Sequence, residues 1–175
     1  MPWPRRASAW PSGSGSSEIA RGLEKARPAK GRCVWRRAGA LSILDDTYNA
    51  NPVSVRAALE TLAASAGERR RVVVLGDMLE LGPITDAVHR EMGAAVAASG
   101  AAEFIGLGRA CRLAVEAARE AGLAESHHAA TFEDTVALLL KRLVPGDAVL
   151  VKGSRGMRME RVVDALLARF GGEDA

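Results

Sequence analysis

The sequence predicts an α/β fold: a three-layer domain with a mostly parallel sheet and a short hairpin at its start. Three observations carry this. Apolar runs of four or five residues recur at Leu41–Leu44, Val72–Leu75, Glu103–Leu107, about Ala129–Phe132 and Ala148–Val151. Helical stripes separate them, so strand and helix alternate every 20–30 residues, as in βαβ units. The runs are continuous rather than alternating, which suits strands covered by helices on both faces.

Each element has its own warrant. Cys33–Arg37 and Leu41–Leu44 flank Ala38-Gly39-Ala40 and read as a hairpin. Val55, Ala58, Leu59, Leu62 and Ala66 fall on one helical face and end at Gly67. Ile84, Val88, Met92, Ala95 and Val96 repeat that pattern up to Gly100, and Cys111, Ala114, Val115 and Ala118 do so up to Gly122. Val136, Leu139, Leu140 and Leu143 precede Pro145-Gly146; Met159, Val162, Val163, Leu166 and Phe170 precede Gly171. A glycine at each end suits the left-handed position that closes a helix.

The domain expected from this pattern covers residues 33–172. Ahead of it lies a head of different character. Residues 1–17 are Pro, Gly, Ser and Trp without period, too poor in apolar surface to order themselves. They lack the apolar core of a signal peptide. WPSGSGS would also arise from codons for LALGLGL read one base out of register, so the head reads equally as genuine or mis-called. Glu18–Ala26 reads as a short helix ended by Pro28 and Gly31.

Charge and composition exclude several classes. The net charge of +3 divides into +7 over residues 1–37 and −4 over the rest. A mildly acidic body with one Tyr and three Phe is a poor surface for nucleic acid. No apolar run is long enough to span a membrane. Two distant cysteines, Cys33 and Cys111, argue against a disulfide scaffold or zinc site and fit a reducing, cytoplasmic setting. His89 and His127-His128 lack metal-ligand spacing, and His89 on its helix reads as a surface residue. Gly106-Leu107-Gly108 is an incomplete dinucleotide fingerprint, and no G-x-x-x-x-G-K-[ST] phosphate loop or G-x-S-x-G elbow occurs.

Ligands of open α/β sheets bind beyond the carboxyl ends of the strands. Three polar loops follow strand ends here: Asp45–Pro52, Gly76–Gly82 and Lys152–Arg158. They are expected on one rim. Each also has a structural reading: Asn51 as a helix cap before Pro52, Asp77 as a turn residue, Ser154 as the cap of the last helix. Together they place carboxylates, carboxamides, a Lys and Arg side chains on one edge, more than capping requires.

The runs DDTYNANP (Asp45–Pro52), VLGDMLELG (Val74–Gly82) and VKGSRGMRME (Val151–Glu160), with RPAKGR at Arg27–Arg32, resemble the C-terminal, Rossmann-like domain of the MurF family. These Mur ligases join D-alanyl-D-alanine to UDP-N-acetylmuramoyl-tripeptide in peptidoglycan synthesis. The resemblance runs over about residues 18–170 and implies residues 18–32 as the end of a central domain and its linker. It implies a reaction in which ATP, with magnesium, phosphorylates the tripeptide carboxylate and the dipeptide amine attacks the acyl phosphate. By the same resemblance Arg32 meets the nucleotide phosphates and Asp46 the ribose. Tyr48, Asn49, Asn51, Lys152, Ser154 and Arg155 would line the incoming dipeptide's side. The UDP-sugar domain and the central domain, with its phosphate loop, magnesium ligands and catalytic lysine, have no counterpart in the sequence. The chain is therefore expected to be a C-terminal fragment or the product of a mis-called or broken gene, inactive alone and binding no cofactor tightly. A receiver-like or other non-catalytic binding module is the alternative: Asp45, Asp46 and Lys152 fit a receiver's outline, but no acidic residue follows Ile105-Gly106-Leu107-Gly108.

Overall fold

The computed structural model describes residues 30–174. The expected head and the helix over Glu18–Ala26 lie outside the described residues. The strands are β1 (Val34–Ala38), β2 (Leu41–Asp46), β3 (Arg71–Gly76), β4 (Glu103–Leu107), β5 (Ser126–Ala129), β6 (Ala148–Lys152) and β7 (Gly172–Asp174). The helices are α1 (Pro52–Ala66), α2 (Thr85–Ala98), α3 (Cys111–Glu120), α4 (Phe132–Arg142) and α5 (Glu160–Phe170), with single 3₁₀ turns at Gly82–Ile84 and Arg155–Met157.

One sheet runs β5-β4-β3-β6-β2-β1-β7. The five strands from β5 to β2 are parallel, and β1 pairs antiparallel with both β2 and β7. Because successive side chains leave a strand on opposite faces, each strand supplies two cores. Leu44, Val73, Leu75, Phe104 and Leu150 pack against α1, α2 and α3. Ile43, Val72, Val74, Ile105, Val149 and Val151 pack against α4 and α5. This is the expected three-layer sandwich with its N-terminal hairpin.

The connections place the site. β2 and β3 feed α1 and α2 on one face, whereas β6, inserted between them, feeds α5 on the other. The loops after these neighbouring strands therefore diverge and leave a crevice at the carboxyl end of β6. At the opposite end of the sheet the buried carboxylates of Glu103 and Asp147 are held by Arg70, and Glu103 also by Arg142.

Four expectations are corrected. The strand placed at Ala129–Phe132 is Ser126–Ala129; Phe132 opens α4, because the Thr131 hydroxyl caps the helix at the Asp134 amide. Within α4 the buried positions are Thr135 and Leu139, while Leu140 is 41% exposed. Ile84 belongs to the 3₁₀ turn ahead of α2 and is exposed. His89 is not on the surface but fully buried, since its ring turns back beneath the loop after β3.

Candidate functional site

All three polar loops meet at the crevice. Asp46 and Lys152 end their strands and are partners in the β2–β6 ladder, so both side chains leave the sheet together. The acidic pair divides its work by strand alternation. Asp45 is buried and accepts from the Thr47 hydroxyl at 2.7 Å, with Arg36 at 3.8 Å. Asp46, 8% exposed, reaches the rim. Its Oδ1 accepts the Cys33 amide at 3.1 Å and its Oδ2 lies 2.5 Å from Lys152 Nζ. Lys152 Nζ also donates to the Asn49 carbonyl at 2.8 Å.

Beside this pair stands Tyr48, 44% exposed. The guanidinium of Arg32 lies 4.2 Å from its ring centroid and that of Arg155 lies 5.7 Å away. Such stacking holds a cation without neutralising it. Arg32 has no carboxylate partner among the described residues, whereas Arg155 is 3.5 Å from Glu160. The incoming segment is pinned here as well: Tyr48 N–H donates to the Gly31 carbonyl at 2.9 Å. Gly31 has φ +74°, and a Cβ there would stand 2.9 Å from Thr47 Oγ1, so a larger residue would lift the segment off the loop. Lys30, Gly31, Thr47, Tyr48, Arg155 and Glu160 line a cavity of about 290 Å³.

The structure separates the remaining expected residues by task. Asn51 caps α1: its Oδ1 accepts the Ser54 amide at 2.8 Å, and the Ser54 hydroxyl accepts the Asn51 amide. Asn49 is exposed, with its Oδ1 on the Ala50 amide. Ser154 does not cap α5. Its hydroxyl accepts from Leu79 N–H at 2.9 Å and faces the Ala50 carbonyl, tying the loops after β2 and β3. Lys152 and Ser154 are both buried, with their polar atoms engaged by neighbouring loops, so a ligand on the rim meets those loops first.

A second cleft, of about 450 Å³, lies between the loop after β3 and the start of α3; Leu79, Glu80, Arg109 and Arg112 are among its lining residues. The polar run Gly76–Gly82 marks the first of these loops in the sequence, whereas only the glycine pair Gly106 and Gly108 signals the second. Asp77 builds the cleft floor. Helix α3 has no cap of its own, and Asp77 accepts the Ala110 and Cys111 amides at 3.2 and 2.8 Å. A carboxylate there suits the positive end of a helix. Gly108 is needed for that approach, because a Cβ would come within 2.6 Å of the carboxylate. His89 Nε2 accepts the Met78 amide and Nδ1 donates to the Thr85 carbonyl. Thus Met78 and Leu79 are held from beneath, while Glu80 takes a left-handed φ of +65° at the rim. The Asp77, His89 and Cys111 ligand atoms converge within 4.8 Å, the spacing of a metal cluster. Their hydrogen bonds to Ala110, Cys111, Met78, Thr85 and Leu75 already use the atoms a metal would need.

The profile described as Mur ligase, glutamate ligase domain matches residues 31–155. The chain belongs to the Mur ligase family. Its similarity to the UDP-N-acetylmuramoyl-tripeptide--D-alanyl-D-alanine ligase of Escherichia coli (strain K12) is 41% identity over 129 residues, 71% of this chain and 26% of that protein. A crystal structure of MurF from Acinetobacter baumannii superposes with a TM-score of 0.77 at 29% identity, over 87% of this chain and 34% of that one. MurF ligase from Thermotoga maritima in complex with ADP shares the fold at a TM-score of 0.70 and 23% identity, over 87% of this chain and 36% of that one. The chain thus spans about a third of the length of these Mur ligases. The family match disfavours the receiver-like alternative. Among the described residues, no helix is long and apolar enough to cross a membrane.

Proposed function

We propose that this chain serves as the C-terminal domain of a D-alanyl-D-alanine-adding Mur ligase, closing over ATP and the incoming dipeptide. The observation that carries the reading is the rim itself: an exposed Arg32, with no carboxylate partner among the described residues, steadied on Tyr48 beside the fixed carboxylate of Asp46. The donor set fits a nucleotide. A guanidinium pairs with phosphate oxygens in a planar fork. A carboxylate has about four lone-pair sites, so Asp46 keeps acceptors for ribose hydroxyls after its two hydrogen bonds. ATP, when bound, supplies the phosphoryl group that activates the tripeptide carboxylate as the acyl donor. The chain's own residues would hold the ribose and phosphates, exclude water on closure and line the amine's approach with Tyr48, Asn49, Asn51 and Arg155. The rim does not fit magnesium, since Asp45 is spent on Thr47 and Arg36; in this reading the central domain holds the ion.

The UDP-N-acetylmuramoyl-tripeptide and the ATP triphosphate belong, in the same reading, to the UDP-sugar and central domains, so the 175-residue chain by itself releases no phosphate from ATP. The test is to join this domain to a matching central domain and measure ligation with Asp46→Asn and Arg32→Ala. Each is expected to lower turnover roughly 10- to 150-fold, the worth of one charge-assisted hydrogen bond, at nearly parental thermal stability. Activity that survives, or falls only in step with unfolding, removes the nucleotide role.

A further inference from the structure

β6 reads Ala-Val-Leu-Val-Lys, four apolar residues and then a lysine that is 1% exposed. An apolar side chain would be less costly to bury at this point, because a buried ion pair seldom adds stability over well-packed apolar groups. The lysine is therefore explained by what its ammonium holds. We propose that Lys152 is a positioning residue: from beneath the rim it fixes the Asp46 carboxylate and joins it to the Asn49 loop. This rests on the reading that Asp46 meets the nucleotide.

The geometry supports it on each side. Lys152 and Asp46 are direct ladder partners, so the 2.5 Å contact follows from the β2–β6 register rather than from a flexible reach. The second hydrogen bond, to the Asn49 carbonyl, fixes the loop that carries Tyr48. Asp46 Oδ1 is held from the other side by Cys33 N–H. Cys33 accepts a left-handed φ of +50°, unfavourable for a residue with a Cβ, and in that conformation its amide points at the carboxylate. The incoming segment, the end of β2 and the loop before α1 are thereby fastened through a single carboxylate, whose remaining lone pairs face the rim. Lys152 does this without touching the ligand, as a support that holds a binding group in a productive orientation.

The experiment uses the full 175-residue chain and two readouts. Amide exchange of Cys33 is measured against that of Ile105 in the sheet interior. Adenosine is then titrated at millimolar concentration and followed by amide chemical shifts. Lys152→Met is expected to speed Cys33 exchange about tenfold while Ile105 is little changed, and to weaken adenosine binding by about the same factor. Asp46→Asn combined with Lys152→Met should bind no more weakly than Asp46→Asn alone, because both act through one carboxylate. Lys152→Gln, which keeps a donor but not the charge, is the variant to use if the methionine variant does not fold. Unchanged exchange and affinity in a folded variant overturn the proposal, as do losses that multiply in the double variant. Wild-type chain whose Asp46 and Cys33 amides ignore adenosine overturns the nucleotide reading instead, and the exchange measurement still decides whether Lys152 holds Asp46.

Discussion

The two cysteines show how far neighbouring residues set chemistry. Cys111 is buried at the start of α3, and that burial, then the charge of Asp77, pushes its thiol well above the ordinary value of 9.0. Cys33 stands exposed at the rim, raised more modestly by desolvation and then by Asp46. Native protein should therefore take up one equivalent of a thiol reagent, at Cys33, and a second only on unfolding. Mass spectrometry of the labelled peptides checks this, and native labelling of Cys111 would sink it. The raised Cys111 value also has a consequence for stability. Above pH 9.0 the unfolded thiol gives up its proton while the folded one keeps it. The folded state then binds more protons, so this contribution, fully present below pH 9.0, is lost as the pH rises. Cys111→Ala should flatten the alkaline decline in denaturation midpoint relative to the parent; an identical slope would show that Cys111 contributes nothing to it.

Among elements, the α2–α3 contact is the most demanding. A Cβ at Gly93 would lie 2.0 Å from the Ala114 carbonyl oxygen, a backbone atom that no rotamer change can move. The two helices meet through that glycine, and any side chain there must drive them apart. Overpacking costs about 1–3 kcal/mol, so Gly93→Ala should lower Tm by roughly 2–12 °C for a domain of this size. Ala94→Ser, one residue on and exposed, should leave Tm nearly unchanged. Thermal unfolding followed by circular dichroism separates the two, and equal Tm values would show that the helices slide apart without cost. Because α3 begins at the cleft and is capped by Asp77, a shift of this pair would also move Arg109 and Arg112.

At the scale of the whole molecule, one seven-stranded sheet with two apolar cores ties the described residues into a single unit. A domain of this size buries enough surface to be stable alone. Residues 30–174 should unfold in one cooperative transition, with near- and far-ultraviolet circular dichroism changing together. Separate transitions for the hairpin side and the β3–β5 side would contradict this. The crevice belongs to this scale too: it exists because β6 lies between β2 and β3 yet sends its helix to the opposite face.

The alternation of apolar runs and helical stripes by itself determined the layer architecture, the hairpin and the order of elements up to α5, because periodicity directly records which side of each segment meets a core; β7 carries no such pattern. The motifs at Asp45–Pro52 and Lys152–Arg158 marked the rim, since polar residues at strand ends need a reason. The tasks of individual residues were decided only by tertiary structure. His89 looks like a surface residue until the fold buries it, and Leu140 looks like core until α4 turns it outward. Asp77 has its helix-capping partners more than thirty residues away, and Lys152 meets Asp46 across 106 positions. A side chain's donors and acceptors act on whatever lies within about 3 Å, and that neighbourhood is set by how the strands pair rather than by what stands beside the residue in the chain.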